Sequence, residues 1–194
     1  MEKIIHFILE LDKLKLVERK VRLSGSGRFE NTAEHTWHIA MLAASLAPFA
    51  IEPIDISRVI KMLLVHDIGE IDAGDTIVFA QTGWAEHKDA ELRSAERIFG
   101  LLPEQAGDEF LQLWKEFEAS ESPDARFAHA ADRAMPVLLN LVNQGGSWRE
   151  NGITYDRVMK RVGPEINAGC PALWNYLSAR LEEAKQLGWF GADR

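Results

Sequence analysis

The chain contains a single cysteine, Cys170, among its 194 residues. One cysteine excludes an internal disulfide and any metal site that is built from several thiolates. Hydrophobic runs are also short, since the longest weakly polar segment, residues 41–51, contains Ser45 and Pro48 and cannot span a bilayer. Residues 1–15 mix charged and apolar side chains and lack a signal-peptide pattern. We therefore expect a cytoplasmic protein that does not enter membranes.

Basic residues are fewer than acidic residues, and the resulting net charge of −8 argues against binding of nucleic-acid polymers through a basic surface. The deficit is uneven, because residues 13–28 hold six cations and one acid, Glu18. A local basic patch on an acidic protein suits a small anionic ligand. A solvated helix end followed by a loop would give the same pattern, so composition leaves both interpretations open.

Strand patterns and repeats are absent, and apolar residues recur at the three- and four-residue spacing of amphipathic helices. Asn31 or Thr32, Asp55 and Ser122 are suited to cap three of these helices. Residues 69–83 and 143–152 read as loops. No low-complexity linker divides the chain, so we predict one all-α domain covering residues 1–194. The predicted helices cover residues 2–15, 32–46, 56–66, 86–101, 104–119, 123–142, 154–162 and 171–187.

Residues 63–75, "LLVHDIGEIDAGD", join an apolar run to a cluster of polar side chains. The run ends at His66 and Asp67, and Glu70, Asp72 and Asp75 follow within a few residues. Ionised carboxylates are costly to bury unless a cation or a strong donor meets them. The pattern therefore predicts a positively charged partner at the end of the third helix.

Two further side chains can join this cluster. His35 begins the second helix, and Asp132 lies near the buried stripe of the long helix. Three helices would then point His35, His66, Asp67 and Asp132 inward. Such a set suits one divalent ion among Mn, Co, Ni, Fe and Zn, whereas Mg prefers all-oxygen ligands. Each residue alone also fits a core histidine, a cap or a salt-bridge partner, so spacing leaves the metal site open.

The motifs "EHTWH", "VHDIGE" followed by "GD", and "ADR" occur in the order H…HD…D. This order resembles the HD-domain metal-dependent phosphohydrolases, and most closely their 5′-deoxynucleotidase-like branch. The resemblance covers most of the chain, including "LDKLKLVERKVR" and "ENTAEH". It implies an HD-domain helical bundle with one metal ion bound by His35, His66, Asp67 and Asp132.

The resemblance also implies an activity, the removal of phosphate from (deoxy)nucleoside 5′-monophosphates. Glu70 matches the acid that orients or deprotonates the attacking water, and Asp75 matches a second acid near the phosphate and sugar. A lead-in arginine contacts the phosphate in the family. We prefer Arg22 and place Arg19 second, while Arg28 stays open because the alignment is loose there. The resemblance and the Trp-rich helices together suggest a homodimer.

Two alternatives accompany this hypothesis. The same site would serve a pyrophosphohydrolase acting on nucleoside triphosphates or alarmones, or a phosphodiesterase. Binding of longer phosphate chains would require more cations than residues 13–28 supply. The chain would otherwise be a non-catalytic helical module that binds metal and nucleotide. The presence of Glu70 and Asp75 beside the ligands argues against a degenerate site.

Overall fold

The computed structural model describes residues 1–79 and 83–192, and its fold is a helical bundle. A short hairpin of two strands precedes the second helix. Two 3₁₀ segments, Leu11–Leu16 and Ala47–Phe49, extend the first and second helices. The helices are α1 (Glu2–Glu10), α2 (Thr32–Leu46), α3 (Ile56–Val65), α4 (Glu70–Ala73), α5 (Trp84–Phe99), α6 (Glu104–Ala119), α7 (Pro123–Val142), α8 (Gly146–Glu150), α9 (Tyr155–Gly169) and α10 (Pro171–Gln186).

The long helices begin where the sequence offers caps. At the start of α2, the Asn31 side chain accepts from the Glu34 backbone N–H at 3.0 Å, and the Glu34 carboxylate accepts from the Asn31 N–H at 3.1 Å. This reciprocal capping box satisfies two donors that the helix itself leaves unpaired. Asp55 caps α3, and Ser122 caps α7 through the Ala125 N–H.

The prediction that the chain has no strand was wrong for one segment. Residues Glu18–Arg22 (β1) pair in antiparallel fashion with Phe29–Asn31 (β2). The intervening turn uses Gly25 and Gly27 at positive φ, which glycine adopts without a steric cost. The strands are too short to show a strong alternating pattern. They matter because the hairpin leads directly into α2 and orients the lead-in arginines.

Smaller departures concern the loops and the first helix. The predicted helix over residues 2–15 stays α-helical only to Glu10 and continues as a 3₁₀ segment. The segments expected to be loops contain the short helices α4 and α8. Each is a single turn or slightly more, which is below the length at which periodicity identifies a helix.

The core is organised around α7, which packs against α2, α3, α6, α9 and α10. Ala128, Ala131 and Ala134 are buried on this helix, and small side chains let neighbouring helices approach closely. At the end of α9, a Cβ on Gly169 would overlap the backbone carbonyl of Arg126. In the described ranges, no helix is both long and apolar enough to cross a membrane.

Candidate metal centre

Three helices bring His35, His66 and Asp132 to one buried point. One ligand atom from each residue lies within 4.8 Å of the other two. His35 Nε2 is 2.9 Å from Asp132 Oδ1, and His66 Nε2 is 3.7 Å from the same oxygen. His35 belongs to the first turn of α2, His66 follows α3 directly, and Asp132 lies in the middle of α7. The crossing of these helices therefore creates the cluster.

The hydrogen bonds of His66 prepare it for ligation. Its Nδ1 lies 2.7 Å from the backbone carbonyl of Leu63. A carbonyl can only accept, so Nδ1 carries a proton, and Nε2 is the nitrogen that a metal ion would use. Nε2 is buried and has no hydrogen-bond partner in the described residues. A metal-ligating histidine needs this arrangement of an anchored N–H and a free opposite nitrogen.

The remaining donors also fit a divalent transition metal. Arg133 Nη1 donates to Asp132 Oδ2 at 2.9 Å, which leaves Oδ1 directed at the two imidazoles. His35 Nδ1 lies 3.3 Å from Glu30 Oε2, on the side of the ring away from Asp132. Two imidazole nitrogens and a carboxylate oxygen form a mixed set that suits Mn, Co, Ni, Fe or Zn.

Asp67 lies beside this cluster and is not one of the three residues whose ligand atoms lie within 4.8 Å of one another. Asp67 Oδ2 is 2.9 Å from His66 Nε2 and accepts a hydrogen bond from Arg19 Nη1 at 2.8 Å. The structure therefore places three of the four predicted ligands together and the fourth at their edge, bound to an arginine.

The electrostatics of the cluster favour a positive charge at its centre. Burial raises the pKa of Asp132, but the Arg133 charge, the His35 hydrogen bond and the nearby His66 ring outweigh burial and hold that pKa well below its usual value. Burial likewise lowers the pKa of His66, but the nearby charges of Asp67 and Asp132 outweigh burial and raise it to about 10, so a metal ion would have to displace the Nε2 proton. The pKa of Asp67 is lowered, because His66 and Arg19 outweigh burial.

Glu70 and Asp75 line the same cleft. Thr32 Oγ1 donates to Glu70 Oε2 at 2.7 Å, so the first residue of α2 fixes the carboxylate. Burial, followed by the negative charge of Asp67, raises the pKa of Glu70 well above its usual value. Burial also raises the pKa of Asp75, against the opposing charge of Arg19.

The approach of α4 to α5 depends on Gly69, where a Cβ would lie 2.7 Å from the Glu91 carbonyl oxygen.

Arg19 and Arg22 point in different directions. Arg19 Nη1 lies 2.8 Å from Asp67, 3.6 Å from Glu70 and 3.7 Å from Asp75, and Arg19 lines the cleft. Arg22 instead pairs with Glu150 at 3.0 Å and lies over the Phe29 ring.

The preference for Arg22 over Arg19 therefore lacks geometric support. The pairing of β1 with β2 is irregular between Glu18 and Arg22, so simple strand alternation does not assign the faces of these arginines, and the sequence offered no basis for the choice. Arg28 pairs with Glu34 at 2.6 Å on the exposed side of the hairpin.

The cleft beside the metal cluster has a volume of about 440 Å³. Its apolar lining residues include Val21, Phe79, Trp148 and Val162. Its lining also carries charged side chains that pair with one another. Arg133 and Arg161 both contact Glu165, and Lys88 contacts Glu91 and Glu118.

Sequence reasoning missed four residues near this site: Glu30, Thr32 as a partner of Glu70, Arg133 and Trp148. Arg133 follows the ligand Asp132 directly, so the "ADR" motif already contained its signal. Glu30 lies in "ENTAEH", but an isolated acid gives no indication of burial. Trp148 was placed in a predicted loop, where a buried aromatic residue is hard to anticipate.

Comparisons with known proteins agree with this geometry. A family model described as HD domain matches residues 11–174. This chain belongs to the HD-domain family. The resemblance inferred from the motifs is thereby confirmed, as is the all-α fold.

Several HD-domain relatives carry functional names. The 5'-deoxynucleotidase HDDC2 of Danio rerio is 26% identical over 139 residues, covering 71% of this chain and 68% of that protein. The human protein of the same name is 27% identical over 66% of this chain and 65% of its own length. The 5'-deoxynucleotidase YfbR of Salmonella paratyphi B is 26% identical over 81% of this chain and 82% of that protein. The match thus spans about two thirds of the first two relatives.

Solved structures give a closer match. A predicted metal-dependent phosphohydrolase from Magnetospirillum magnetotacticum MS-1 is 43% identical, with a TM-score of 0.93 over 98% of this chain and 95% of that one. The PH0347 protein from Pyrococcus horikoshii OT3 is 23% identical with a TM-score of 0.61 over 94% of this chain and 99% of that one, so it supports the fold alone.

Proposed function

We propose that this protein is a metal-dependent phosphohydrolase that removes phosphate from (deoxy)nucleoside 5′-monophosphates. The observation that carries the proposal is the buried cluster of His35, His66 and Asp132, with its unpartnered His66 Nε2, at the edge of an acid-lined cleft. The names of the 5'-deoxynucleotidase relatives support the same reaction and substrate class.

We propose His35, His66, Asp67 and Asp132 as the ligands of one divalent metal ion. The mixed nitrogen and oxygen donors favour Mn, Co, Ni, Fe or Zn over Mg. When bound, such an ion supplies Lewis-acid stabilisation of phosphoryl charge and lowers the pKa of a coordinated water.

Arg19 is the proposed phosphate ligand. The surrounding carboxylates raise its pKa against the opposing effect of burial, so the guanidinium stays charged. Its planar fork can bind two phosphate oxygens at once. Contacts to Asp67, Glu70 and Asp75 hold this fork at the position where the acids and the metal cluster meet.

Glu70 and Asp75 complete the proposed reaction. Glu70, fixed by Thr32, orients the attacking water. Asp75 donates a proton to the departing 5′-oxygen or binds the sugar. A raised pKa suits this role, because a general acid must hold its proton near neutral pH. Positioning and charge stabilisation of this kind provide most of the catalysis in phosphoryl transfer.

The charges around the cleft favour a monophosphate over a longer phosphate chain. Arg133 and Arg161 are balanced by Glu165, and Lys88 is balanced by Glu91 and Glu118. Among the described lining residues, a triphosphate would therefore meet, besides Arg19 and Lys20, cations whose charge is already compensated. The apolar lining residues Val21 and Trp148 suit a nucleoside instead. These features also disfavour the pyrophosphohydrolase alternative.

The test is a phosphate-release screen of nucleoside monophosphates, after chelation and reloading with Mn, Co, Mg or Zn. We expect Asp67→Ala to lose both bound metal and hydrolysis. Asp72→Ala is the matched control, because Asp72 is an acid of the same segment that pairs with Arg97 outside the cleft. Full turnover by Asp67→Ala would refute the ligand assignment. Release of pyrophosphate from triphosphates would favour the first alternative, and metal binding without turnover the non-catalytic one.

Three further expectations accompany this proposal. We propose that residues 1–194 form one domain and that the protein acts as a homodimer in the cytoplasm. Size-exclusion chromatography with light scattering tests the oligomeric state, and a monomer at micromolar concentration would contradict the dimer.

A further inference from the structure

Glu30 is a buried acid that the proposed reaction does not use. It lies on β2, and only 1% of its surface is exposed. Neither of its carboxylate oxygens has a hydrogen-bond partner in the described part of the chain. Burial of an unpaired carboxylate is strongly unfavourable, so its position calls for a partner that uses its charge.

Two other unpartnered buried atoms face this carboxylate. His35 Nδ1 is 3.3 Å from Glu30 Oε2, and Arg19 Nε is 3.9 Å from the same oxygen. Both nitrogens donate when they carry a hydrogen, whereas a carboxylate only accepts and has room for several donors. The three groups are thus complementary, and small side-chain rotations would complete both hydrogen bonds.

We propose that Glu30 is a positioning residue that orients the metal ligand His35 and the phosphate-binding Arg19 at the same time. When Glu30 accepts from Nδ1–H, the lone pair of His35 is on Nε2, which faces Asp132. When it accepts from Arg19 Nε–H, the Nη1 end stays directed at Asp67 and the cleft. Carboxylates that fix metal-ligating histidines in this way are a recurrent feature of metal sites.

The backbone around Glu30 is suited to this role. The next residue, Asn31, forms the capping box of α2, and that box fixes the strand relative to the first helical turn that carries His35. Pairing of β1 with β2 brings Arg19 to the same side. The Arg19 part of the inference rests on the proposed function, whereas the His35 part concerns metal binding alone.

The experiment compares Glu30→Ala with Glu30→Gln. Metal affinity is measured by competition with a chromogenic chelator, using Zn and Mn, so that this readout does not depend on turnover. We expect Glu30→Ala to weaken metal binding about 10–100-fold, as loss of an outer-shell partner typically does. The KM for a nucleoside monophosphate should also rise, because Arg19 loses its support.

Glu30→Gln keeps the size of the side chain and separates the two contacts. Its amide oxygen has two lone pairs and can still accept from both donors, but the loss of the negative charge weakens the contact with the charged Arg19 guanidinium more than the contact with His35. We therefore expect metal affinity close to that of the wild type, together with a raised KM at saturating metal. This variant also guards against a misfolded Ala variant, since it preserves the packing.

Glu34→Gln is the matched control. Glu34 is a neighbouring acid at the same helix end that pairs with Arg28 on the exposed side, and a glutamine there can still accept from the Asn31 N–H, so the capping box is kept. We expect its metal affinity and KM to equal those of the wild type. An equal loss in Glu34→Gln would show a general charge effect and would overturn the inference.

The inference would also be overturned if Glu30→Ala bound metal within twofold of the wild type, or if the wild type bound no metal. Wild-type protein that binds metal but hydrolyses no nucleoside monophosphate would instead refute the proposed function. In that case the metal affinity of Glu30→Ala still decides the role of Glu30 towards His35.

Discussion

The hydrogen bond from Thr32 to Glu70 allows a direct test of the proposed role of Glu70 in orienting the attacking water. Thr32 Oγ1 lies 2.7 Å from Glu70 Oε2, and Thr32 is fully buried. Thr32→Val removes the hydroxyl while keeping the shape of the side chain. Because Glu70 is not a proposed metal ligand, the change should affect the orientation of the attacking water without altering metal content.

The expected magnitude follows from leaving the buried Glu70 oxygen without its hydrogen-bond donor. An unsatisfied buried polar group costs about 1–3 kcal/mol. If the whole amount is lost from the transition state, turnover falls about 5- to 150-fold, at roughly 1.4 kcal/mol for each factor of ten. If the loss falls on the folded state instead, the melting temperature drops by about 2–4 °C per kcal/mol in a domain of this size.

The measurement is kcat for phosphate release at saturating metal, with metal content determined on the same sample. Thr36→Val is the matched control, because it makes the same change one turn along α2 at a buried residue that does not hydrogen-bond Glu70 in the described structure. A Thr32→Val enzyme with full metal and kcat within twofold of the wild type would refute the role of this hydrogen bond. An equal loss in Thr36→Val would show that the effect is not specific to Glu70.

Three further predictions follow from other contacts. Arg19→Ala should lower kcat/KM at least about 100-fold, because it removes a buried phosphate contact. Arg22→Ala affects an exposed pair with Glu150 and should change kcat/KM less than threefold in the same kinetic measurement. Gly69→Ala should destabilise the protein by about 1–3 kcal/mol in denaturant unfolding, because its Cβ would press on the Glu91 backbone, and unchanged stability would contradict that packing. Chelation should lower the melting temperature reversibly, since metal stabilises the state that binds it, and an unchanged melting temperature with full metal loss would argue against the buried site.

Much of the fold follows from local signals in the sequence. Asn31, Asp55 and Ser122 begin helices where their side chains can satisfy exposed backbone donors, and the structure starts helices there. The hairpin at Glu18–Arg22 was not predicted, because its strands are short and pair only with each other. The hairpin matters for the proposed function, since its Arg19 lines the cleft while its Arg22 pairs with Glu150.

The candidate site likewise combines features that the sequence indicates with features that depend on packing. A family motif could be read from the order of His35, His66, Asp67 and Asp132. The central position of Asp132, and the bond that holds Asp67 to Arg19, depend on how α2, α3, α7 and the hairpin cross.

The sequence by itself determined the helical class and the main caps, because these depend on local spacing and chemistry, and its ordered family motif indicated the residues of the metal cluster. Only the tertiary structure decided which arginine enters the cleft and which buried groups support the ligands. Glu30 meets His35 and Arg19 through the pairing of two strands and the start of α2. Contacts between such separate elements carry no periodic signal in the chain, since they arise from packing rather than from neighbouring residues.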